Sequence, residues 1–440
     1  MARQFQTIDL AAYHRIIRLS DLYTYQGKID KVMGLMVEAT GLTCNIGDIC
    51  EILVDDGRKM VTEVVGLKGG FVQLMPYQEL DGIGAGSLVV NTGAKLEIGV
   101  GPDLVGRTID ALGNPIDGGP PIQRVKRYPI NGVHSNPMER PPISQVMELG
   151  VKAIDGLLTM GKGQRVGIFA GSGVGKSTLM GMIARNVKAD INVIALVGER
   201  GRELVEFIEK DLGPEGMARS VLVVATSDQP AMMRSKCALT ATAIAEYFRD
   251  QGQDVLLMMD SLTRFCMAQR EIGLSTGEPP VARGYTPSIY TMLPKLLERS
   301  GNFEKGSITG IYTVLVEGDD TNEPISDTVR GIVDGHIVLS RKLAMANHYP
   351  AIDVLASISR LMNSIAGAEH KKAAGRIRQM MSVHQDNRDL LSIGAYKSGS
   401  NPELDEAIRH MDGINGLLQQ AVGNKVSFED TVTQMIALAE

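Results

Sequence analysis

Residues 167–180 read "GIFAGSGVGKSTLM" and place four glycines within nine residues, directly ahead of Lys176 and two hydroxyl residues. Glycine loses more conformational freedom on folding than any other residue, so such a cluster marks backbone that adopts positive φ or approaches another group closely. An apolar run precedes the cluster, and a helix-forming stretch follows it. A glycine-rich loop that opens a helix favours phosphate, because the free N–H groups of the helix N-terminus attract anions.

The spacing within this stretch follows the phosphate-loop pattern G-x-x-x-x-G-K-[ST], with one departure. Residues 170–177 read "AGSGVGKS", so Ala170 replaces the first glycine. The later glycines still free the backbone, and the pattern predicts that Lys176 holds the β- and γ-phosphates of ATP while Ser177 binds Mg²⁺. A dinucleotide fingerprint, G-x-G-x-x-G, does not fit these glycines and leaves the Lys-Ser pair unexplained.

The composition is that of a globular protein. The chain has 440 residues, of which 44% are hydrophobic and 22% charged, and this length predicts about two to four domains. A net charge of −6 gives no general attraction to nucleic acid or anionic membranes. The four scattered cysteines do not form a disulfide framework, and there is neither a signal-peptide pattern nor a long apolar run. These features predict a soluble, cytoplasmic protein.

The chain divides into segments with different patterns. Residues 23–95 carry short β-rich runs separated by glycine turns, which predict a small β-barrel. In residues 96–365, a Gly- and Pro-rich lead-in, which resembles a linker, precedes strands that alternate with helices, and this order predicts a parallel sheet. Residues 366–440 read as amphipathic helices. The predicted fold class is multidomain α/β, with a β-barrel, a P-loop ATPase domain and a C-terminal helical domain.

The first 22 residues have an amphipathic pattern. Apolar residues recur at helical spacing and are interrupted by arginines. Such a segment docks a partner, lies on a membrane surface or packs on its own barrel. The pattern leaves these alternatives open.

Two acidic residues follow apolar runs further along the chain. Asp260 ends "VLLMMD", and a carboxylate at the end of a strand beside the phosphate loop would hold Mg²⁺ through water. Glu199 ends "ALVGE", where a carboxylate at the same sheet edge could polarise an attacking water. Together with the loop, these acids predict hydrolysis of ATP rather than binding alone.

Several stretches resemble one known family. "GERGRE" at 198–203, "MDSLTRF" at 259–265 and "YPAIDVLASISR" at 349–360 resemble the catalytic subunits of rotary ATPases, the α/β family of F- and V-type enzymes. Within it, "GLMVEATGL", "EPPVARGYTPSIYTMLPKLLERSG" and "NRDLLSIGAY" resemble the flagellum-specific ATPases of the bacterial flagellar type III export apparatus and their injectisome relatives. The resemblance runs from about residue 20 to residue 440.

The resemblance implies a role for individual residues of this chain. The family's P-loop corresponds to eight consecutive residues: Gly171, Ser172, Gly173, Val174, Gly175, Lys176, Ser177 and Thr178. Its water-activating glutamate corresponds to Glu199, and its Mg²⁺-site aspartate corresponds to Asp260. Because non-catalytic subunits of the family usually carry glutamine at the first of these positions, one chain supplies every part of a working site.

The resemblance also implies three catalytic arginines and one aromatic residue. Arg200 and Arg264 correspond to arginines near the phosphate, and Arg360 corresponds to the arginine that reaches into the neighbouring subunit's site. Tyr349 corresponds to the aromatic residue beside the adenine. If Arg360 acts in this way, a monomer lacks a complete site and a closed ring supplies one to every protomer.

The resemblance implies a homohexameric ATPase, peripheral at the inner face of the cytoplasmic membrane, that couples hydrolysis of Mg²⁺-ATP to delivery of export substrates to a membrane gate. The implied partners are an export regulator at the N-terminus, a central coiled-coil stalk protein, export chaperones with their substrates, and the cytoplasmic domain of the export gate. An injectisome ATPase is the main alternative, and a catalytic subunit of a rotary ATP synthase is a weaker one. The sequence does not separate the flagellar system from the injectisome.

A ring-shaped nucleic-acid motor shares this type of core. Such a protein grips RNA with a basic, aromatic-bearing N-terminal domain. Residues 1–100 here contain nine Lys and Arg against twelve Asp and Glu. The charge balance therefore argues against nucleic acid as a partner.

Overall fold

The computed structural model describes residues 10, 13–14, 26–54, 57–132, 136–316 and 323–440. The chain forms two compact units, Met1–Leu96 and Glu97–Glu440. The amphipathic segment predicted for residues 1–22 lies outside the described residues, except for positions 10, 13 and 14.

Six antiparallel strands of the first unit form a closed barrel in the order β1-β2-β5-β4-β3-β6. The strands are β1 (Gln26–Met33), β2 (Met36–Thr40), β3 (Asp48–Leu53), β4 (Lys59–Lys68), β5 (Phe71–Pro76) and β6 (Leu88–Lys95). Buried and more exposed residues alternate along β4, as expected where one face of a strand lines a barrel core. Ile52, Leu74 and Val89 are fully buried in that core. The predicted β-barrel is confirmed.

A nine-stranded sheet organises the second unit. Its strand order is β19-β18-β12-β17-β15-β13-β14-β8, with β16 beside β17, and all pairs except those of β16 and β19 are parallel. All nine residues of β13 are buried, which is typical of a parallel sheet covered on both faces. The strands of this unit are β7 (Glu97–Val100), β8 (Thr108–Asp110), β9 (Lys126–Pro129), β10 (Val146–Met147), β11 (Met160–Gly161), β12 (Arg165–Ala170), β13 (Ile191–Glu199), β14 (Ser220–Thr226), β15 (Asp254–Asp260), β16 (Gly301–Asn302), β17 (Ser307–Leu315), β18 (Gly335–Leu339) and β19 (Ile352–Ser359).

Helices connect the strands and follow the last of them. They are α1 (Lys152–Leu157), α2 (Lys176–Asn186), α3 (Gly201–Glu206), α4 (Gly213–Met217), α5 (Ala231–Asp250), α6 (Leu262–Ser275), α7 (Pro287–Leu297), α8 (Pro324–Ile332), α9 (Arg341–Met345), α10 (Met362–Ile365), α11 (Ala368–Asp386), α12 (Arg388–Ser392), α13 (Pro402–Leu418) and α14 (Phe428–Ala439). A π-helical turn, Phe207–Leu212, joins α3 to α4. The predicted alternation of strands and helices is therefore confirmed.

The C-terminal helices share one hydrophobic core with the sheet. Helices α11, α13 and α14 pack on one another, and α14 packs on α1. Ile377, Ile414 and Met435 from these helices are fully buried in the cluster that also contains Ile168 of β12 and Leu179 of α2. Movement in this helical layer is therefore coupled by direct packing to the elements around the glycine-rich loop.

The Gly- and Pro-rich lead-in differs from the expected linker. Within it, β8 joins the edge of the large sheet beside β14, and β7 pairs with β9. The Asp110 carboxylate accepts hydrogen bonds from the N–H groups of Leu112 and Asn114, so the turn after β8 is closed by a side chain. The three-residue length of β8 explains why the sequence pattern did not indicate a strand.

Close packing of α2 gives a prediction about stability. A Cβ on Gly181 would lie 2.4 Å from the Asp211 carbonyl oxygen, whereas a Cβ on Gly375 of α11 would meet no atom of the residues that the structure describes within 4 Å. Gly181→Ala should therefore lower the free energy of unfolding by about 1–3 kcal/mol, because the backbone of the π-helical turn must shift. Gly375→Ala, the matched control, should raise it by up to about 1 kcal/mol through helix propensity. Denaturant unfolding measures both variants. If Gly181→Ala proved as stable as Gly375→Ala, the close packing of α2 against the π-helical turn would be contradicted.

Candidate functional site

The glycine-rich loop connects β12 to α2. Gly173 and Gly175 have φ values of +76° and +87°, a region that residues with a Cβ rarely adopt, so the turn requires glycine at both positions. Lys176 is the first residue of α2, so the loop precedes a helix N-terminus where unpaired N–H groups favour an anion. Of the eight P-loop residues predicted from the sequence, all but Val174 line one cavity. Val174 is buried in the hydrophobic core, where it anchors the loop.

The cavity has a volume of about 720 Å³, a size typical of small-molecule sites. It lies at the carboxyl ends of β12 and β13, the edge of a parallel sheet where ligands bind. Its lining comprises Ala170, Gly171, Ser172, Gly173, Gly175, Lys176, Ser177, Thr178, Glu199, Arg200, Glu203, Thr263, Arg264, Met267, Leu315, Val316, Glu323 and Arg341.

Two carboxylates flank the Lys176 ammonium group. Asp260, at the end of β15, forms an ion pair with it, and Glu199, at the end of β13, lies 3.7 Å away through Oε1. The Thr313 hydroxyl on β17 donates a hydrogen bond of 2.7 Å to Oδ1 of Asp260. Because β13, β15 and β17 run parallel in the same sheet, their ends bring these side chains together at one edge.

Glu199 has the electrostatic properties of a proton acceptor. Its side chain is only 11% exposed, and its buried Oε1 has no hydrogen-bond partner among the described residues. Burial and, after it, the charge of Asp260 raise the pKa of Glu199 to about 7, against the opposing effects of Lys176 and Arg264. A carboxylate that titrates near neutral pH is suited to accept a proton from water.

Two of the predicted arginines reach the same cavity from different elements. Arg264 lies in the first turn of α6, which Ser261 caps, and its Nε lies 3.4 Å from Oε1 of Glu199. Arg200 is the N-cap residue of α3, is exposed, and pairs with Glu203 at 3.1 Å. The structure thus brings one half-buried and one exposed guanidinium to the phosphate loop.

The donor set of the cavity suits Mg²⁺. Ser177 provides a hydroxyl oxygen and Asp260 a carboxylate oxygen, and Mg²⁺ binds through one or two such ligands together with waters and substrate phosphates. In the described part of the chain, no group of three or more His, Cys, Asp and Glu side chains is placed to hold a metal. The residues therefore fit an ion that enters with a phosphate ligand.

Tyr349 lies beside the loop. Its ring comes within 3.4 Å of the position that a Cβ on Gly175 would occupy, and 41% of the residue is exposed. The N–H of Gln420, beyond α13, donates to the Tyr349 carbonyl oxygen at 3.0 Å. The helical layer thus holds in place the aromatic residue predicted to contact the adenine.

Arg360 is the one predicted site residue that the structure places elsewhere. Strand β19 runs antiparallel to β18, so Ile352 pairs with Leu339 near the loop, whereas Ser359 pairs with Gly335 at the opposite end. Gly335 and Leu339 are four positions apart along β18, which corresponds to about 13 Å of extended strand. Arg360 is exposed and does not line the cavity of its own chain. Arg360 therefore lies at the end of β19 that is remote from its own phosphate loop.

Sequence reasoning assigned no role to three charged residues of the cavity, Glu203 beside the predicted Arg200, and Glu323 and Arg341 further along the chain. Glu323 is 6% exposed and precedes α8, and Arg341 opens α9 directly after β18. Both reach the loop because β17 and β18 flank β12 in the sheet. The only signal for them is a charged residue shortly after an apolar run, and strand order, which the sequence does not reveal, is needed to interpret it.

Three family profiles match the chain in succession. The β-barrel domain of the ATP synthase alpha/beta family matches residues 29–93, and the nucleotide-binding domain of that family matches residues 150–359. The T3SS EscN ATPase C-terminal domain matches residues 366–437. This order is that of the barrel, the sheet and the helices in the structure.

Similar proteins match nearly the whole chain. The flagellum-specific ATP synthase of Bacillus subtilis (strain 168) is 54% identical over 424 residues, 96% of this chain and 97% of that protein. The solved structure of the assembled ATPase EscN from the enteropathogenic E. coli type III secretion system has a TM-score of 0.90 at 44% identity, and the match covers 94% of this chain and 100% of that one. EscN in complex with its central stalk EscO has a TM-score of 0.88, with the same identity and coverage.

The raised pKa of Glu199 gives a prediction about stability and pH. Because the folded-state pKa of about 7 exceeds the ordinary value of 4.5, the folded protein loses stability as pH rises from about 4.5 to 7. Glu199→Gln removes this ionisation, so it should raise the free energy of unfolding at pH 8, by up to about 3 kcal/mol, and much less at pH 5. Melting temperatures across this range would measure the difference. A pH-independent difference, or one no larger than that of the exposed control Glu209→Gln, would contradict the prediction.

Proposed function

Because the chain belongs to the ATP synthase alpha/beta family, in the branch of the flagellum-specific and type III secretion ATPases, we propose that it hydrolyses Mg²⁺-ATP to drive protein export by the bacterial flagellar apparatus. One observation supports ATP hydrolysis in particular. Lys176 begins a helix directly after a glycine-rich loop, and its ammonium group lies beside the carboxylates of Glu199 and Asp260. The 54% identity to a flagellum-specific relative favours the flagellar system.

An injectisome ATPase is the second candidate, and the 44% identity to EscN supports it. Co-purification from the native cell distinguishes the two. Flagellar components bound to the tagged chain would support the first proposal, and injectisome components alone would replace it with the second.

Binding of ATP uses the loop and the N-terminus of α2. Positive φ at Gly173 and Gly175 lets backbone N–H groups converge on the phosphates, and Lys176 supplies a positive charge. Tyr349 beside Gly175 offers a ring face to the base. Mg²⁺, held by Ser177 and partly through water by Asp260, would neutralise phosphate charge when bound.

Hydrolysis requires a proton acceptor near the phosphate. Glu199 lies 3.7 Å from Lys176, and its carboxylate accepts the proton of the attacking water. Arg264 and Arg200 line the same cavity and stabilise negative charge that develops on the transferred group. The ends of the strands and the first turns of the helices position these three side chains: Glu199 ends β13, Arg200 precedes α3 and Arg264 lies in the first turn of α6.

Arg360 completes the site of a neighbouring chain in this proposal. It lies at the opposite end of the sheet edge from its own loop, so a head-to-tail contact is the arrangement that brings it to a phosphate. The solved EscN relative is an assembled ATPase, which supports a ring for this chain, and we assign it six copies. An arginine acting in trans in this way is worth about 10³–10⁵ in rate.

The proposed partners of this chain are those that its family membership implies. EscN has been solved with its central stalk EscO, and we propose a coiled-coil stalk protein for this ring as well. The further proposed partners are an export regulator at the N-terminus, export chaperones with their substrates, and the cytoplasmic domain of the gate. Among the described residues, no helix is both long and apolar enough to span a membrane. We place the ring in the cytoplasm, peripheral to the membrane.

Two substitutions separate binding from chemistry. Lys176→Ala should abolish ATPase activity and leave the fold intact, since Lys176 is not a core residue. Glu199→Gln should retain nucleotide binding and lose about 10²–10⁴ in kcat, because an amide does not accept the proton. Steady-state ATPase assays and binding of a fluorescent nucleotide measure both effects, with the exposed Lys210→Ala as control. If Glu199→Gln turned over ATP at the wild-type rate, another group would have to be the proton acceptor.

Mixing two inactive variants tests the action of Arg360 in trans. Arg360→Ala keeps its loop, and Lys176→Ala keeps its arginine, so a mixed ring re-forms complete sites where the two meet. A one-to-one mixture should recover roughly a quarter of the wild-type rate, since half of the loops are intact and half of their neighbours carry the arginine. Co-assembly is verified by pull-down of differently tagged chains. Co-assembled mixtures without activity would contradict the proposal.

A further inference from the structure

Arg360 follows β19, which is an edge strand in the described sheet. The end of an edge strand is prone to local opening, because it has a partner on one side only. An arginine that must meet a phosphate on another chain needs a fixed backbone, since a displacement of about 1 Å at a reacting group can cost about 10²-fold in rate.

A buried amide holds this end of the strand. Gln164, directly before β12, is fully buried, and its Oε1 accepts a hydrogen bond from the Gly161 N–H at 2.8 Å. Its Nε2 donates to the Asp334 carbonyl oxygen and to the Ser359 hydroxyl oxygen, each at 3.2 Å. The Ser359 hydroxyl donates in turn to the Thr159 carbonyl oxygen at 2.8 Å. Gln164 thus ties β19 and the start of β18 to the residues before β12.

Asp334 links the same point to Arg360. Its carbonyl oxygen also accepts the Arg360 N–H, at 3.0 Å. Its carboxylate accepts hydrogen bonds from the backbone N–H and the Nε of Arg165, each at 3.1 Å. The Asp334 carbonyl oxygen that accepts the Arg360 N–H is thus also bonded by Gln164, and the Asp334 carboxylate is bonded by Arg165. Both partners lie at the beginning of β12, the strand that ends at the phosphate loop.

We propose that Gln164, Asp334 and Ser359, here termed the Arg360 anchor, are positioning residues that hold Arg360 for the neighbouring chain's phosphate. This inference rests on the proposed function, because it assumes that Arg360 acts in trans. Strand β12 then joins the anchor at one end to the phosphate loop at the other. The arginine that one chain offers to its neighbour is thereby attached to the strand that carries its own nucleotide loop.

A purely structural role predicts a different outcome. If the anchor only stabilised β12, its loss would damage the phosphate loop of its own chain. If it positions Arg360, its loss damages the site of the next chain. Mixed rings separate these cases, because Lys176→Ala chains contribute only an arginine and Arg360→Ala chains contribute only a loop.

The experiment places one anchor substitution in either chain of the mixture. Gln164→Glu keeps the side-chain shape but presents an oxygen in place of the donor to Asp334 and Ser359. Ser359→Ala removes the hydrogen bonds of the hydroxyl with Gln164 and with the Thr159 carbonyl oxygen but buries no charge, and so remains informative if Gln164→Glu does not fold. The matched control is Ser357→Ala, which lies on the same strand as Ser359 and whose hydroxyl accepts the Val338 N–H of β18. ATPase rates and the KM for ATP are measured, with co-assembly and nucleotide binding verified.

In the arginine-donating chain, the anchor substitutions should lower the recovered kcat about tenfold or more and leave the KM for ATP unchanged. In the loop-carrying chain they should leave the recovered rate unchanged, and Ser357→Ala should have no effect in either chain. Equal losses in both chains, or no loss in either, would overturn the role of the anchor. An unsubstituted reference mixture that stays inactive would instead overturn the action of Arg360 in trans, and the anchor's role with it.

Discussion

The direction of the strands is the constraint on which the candidate site depends. Strands β12, β13 and β15 run parallel, so Lys176, Glu199 and Asp260 meet at one edge of the sheet. Strand β19 runs the other way and carries Arg360 to the opposite end. One chain therefore presents a phosphate loop at one end of its sheet and an arginine at the other. In the proposed ring these two surfaces of adjacent copies meet, and each interface contains one complete site.

The carboxylates of the site carry an energetic cost that the fold offsets elsewhere. Burial of Glu199 beside Asp260 raises its pKa to about 7, so the ionised form that accepts a proton is also the form that the folded state disfavours. Lys176 and the Thr313 hydroxyl stabilise the negative charge of Asp260. The large hydrophobic core shared by the sheet and the C-terminal helices stabilises the fold against this cost.

The sequence predicted the barrel, the parallel-sheet unit and the helical end, because each has its own hydrophobic pattern. It also predicted the residues of the loop and both carboxylates, since a phosphate loop follows a strict spacing and acids at strand ends converge at one edge. Arg341 and Glu323 were not predicted, because their approach depends on β17 and β18 flanking β12. Strand β8 was not predicted because it is too short to show a hydrophobic period. The hydrogen bonds of Gln164 were not predicted because they join segments that are distant in sequence. The catalytic roles of the individual residues stay predictions.

In the proposed ring a single chain lacks a complete site, so turnover and assembly should be measured together as the protein is diluted. Mass photometry and ATPase assays on the same dilution series would give the assembled fraction and the rate per chain. The rate per chain should fall in proportion to the assembled fraction. Monomers should still bind nucleotide through Lys176 and the loop but show no turnover. A monomeric chain that hydrolyses ATP at the undiluted rate would contradict this expectation.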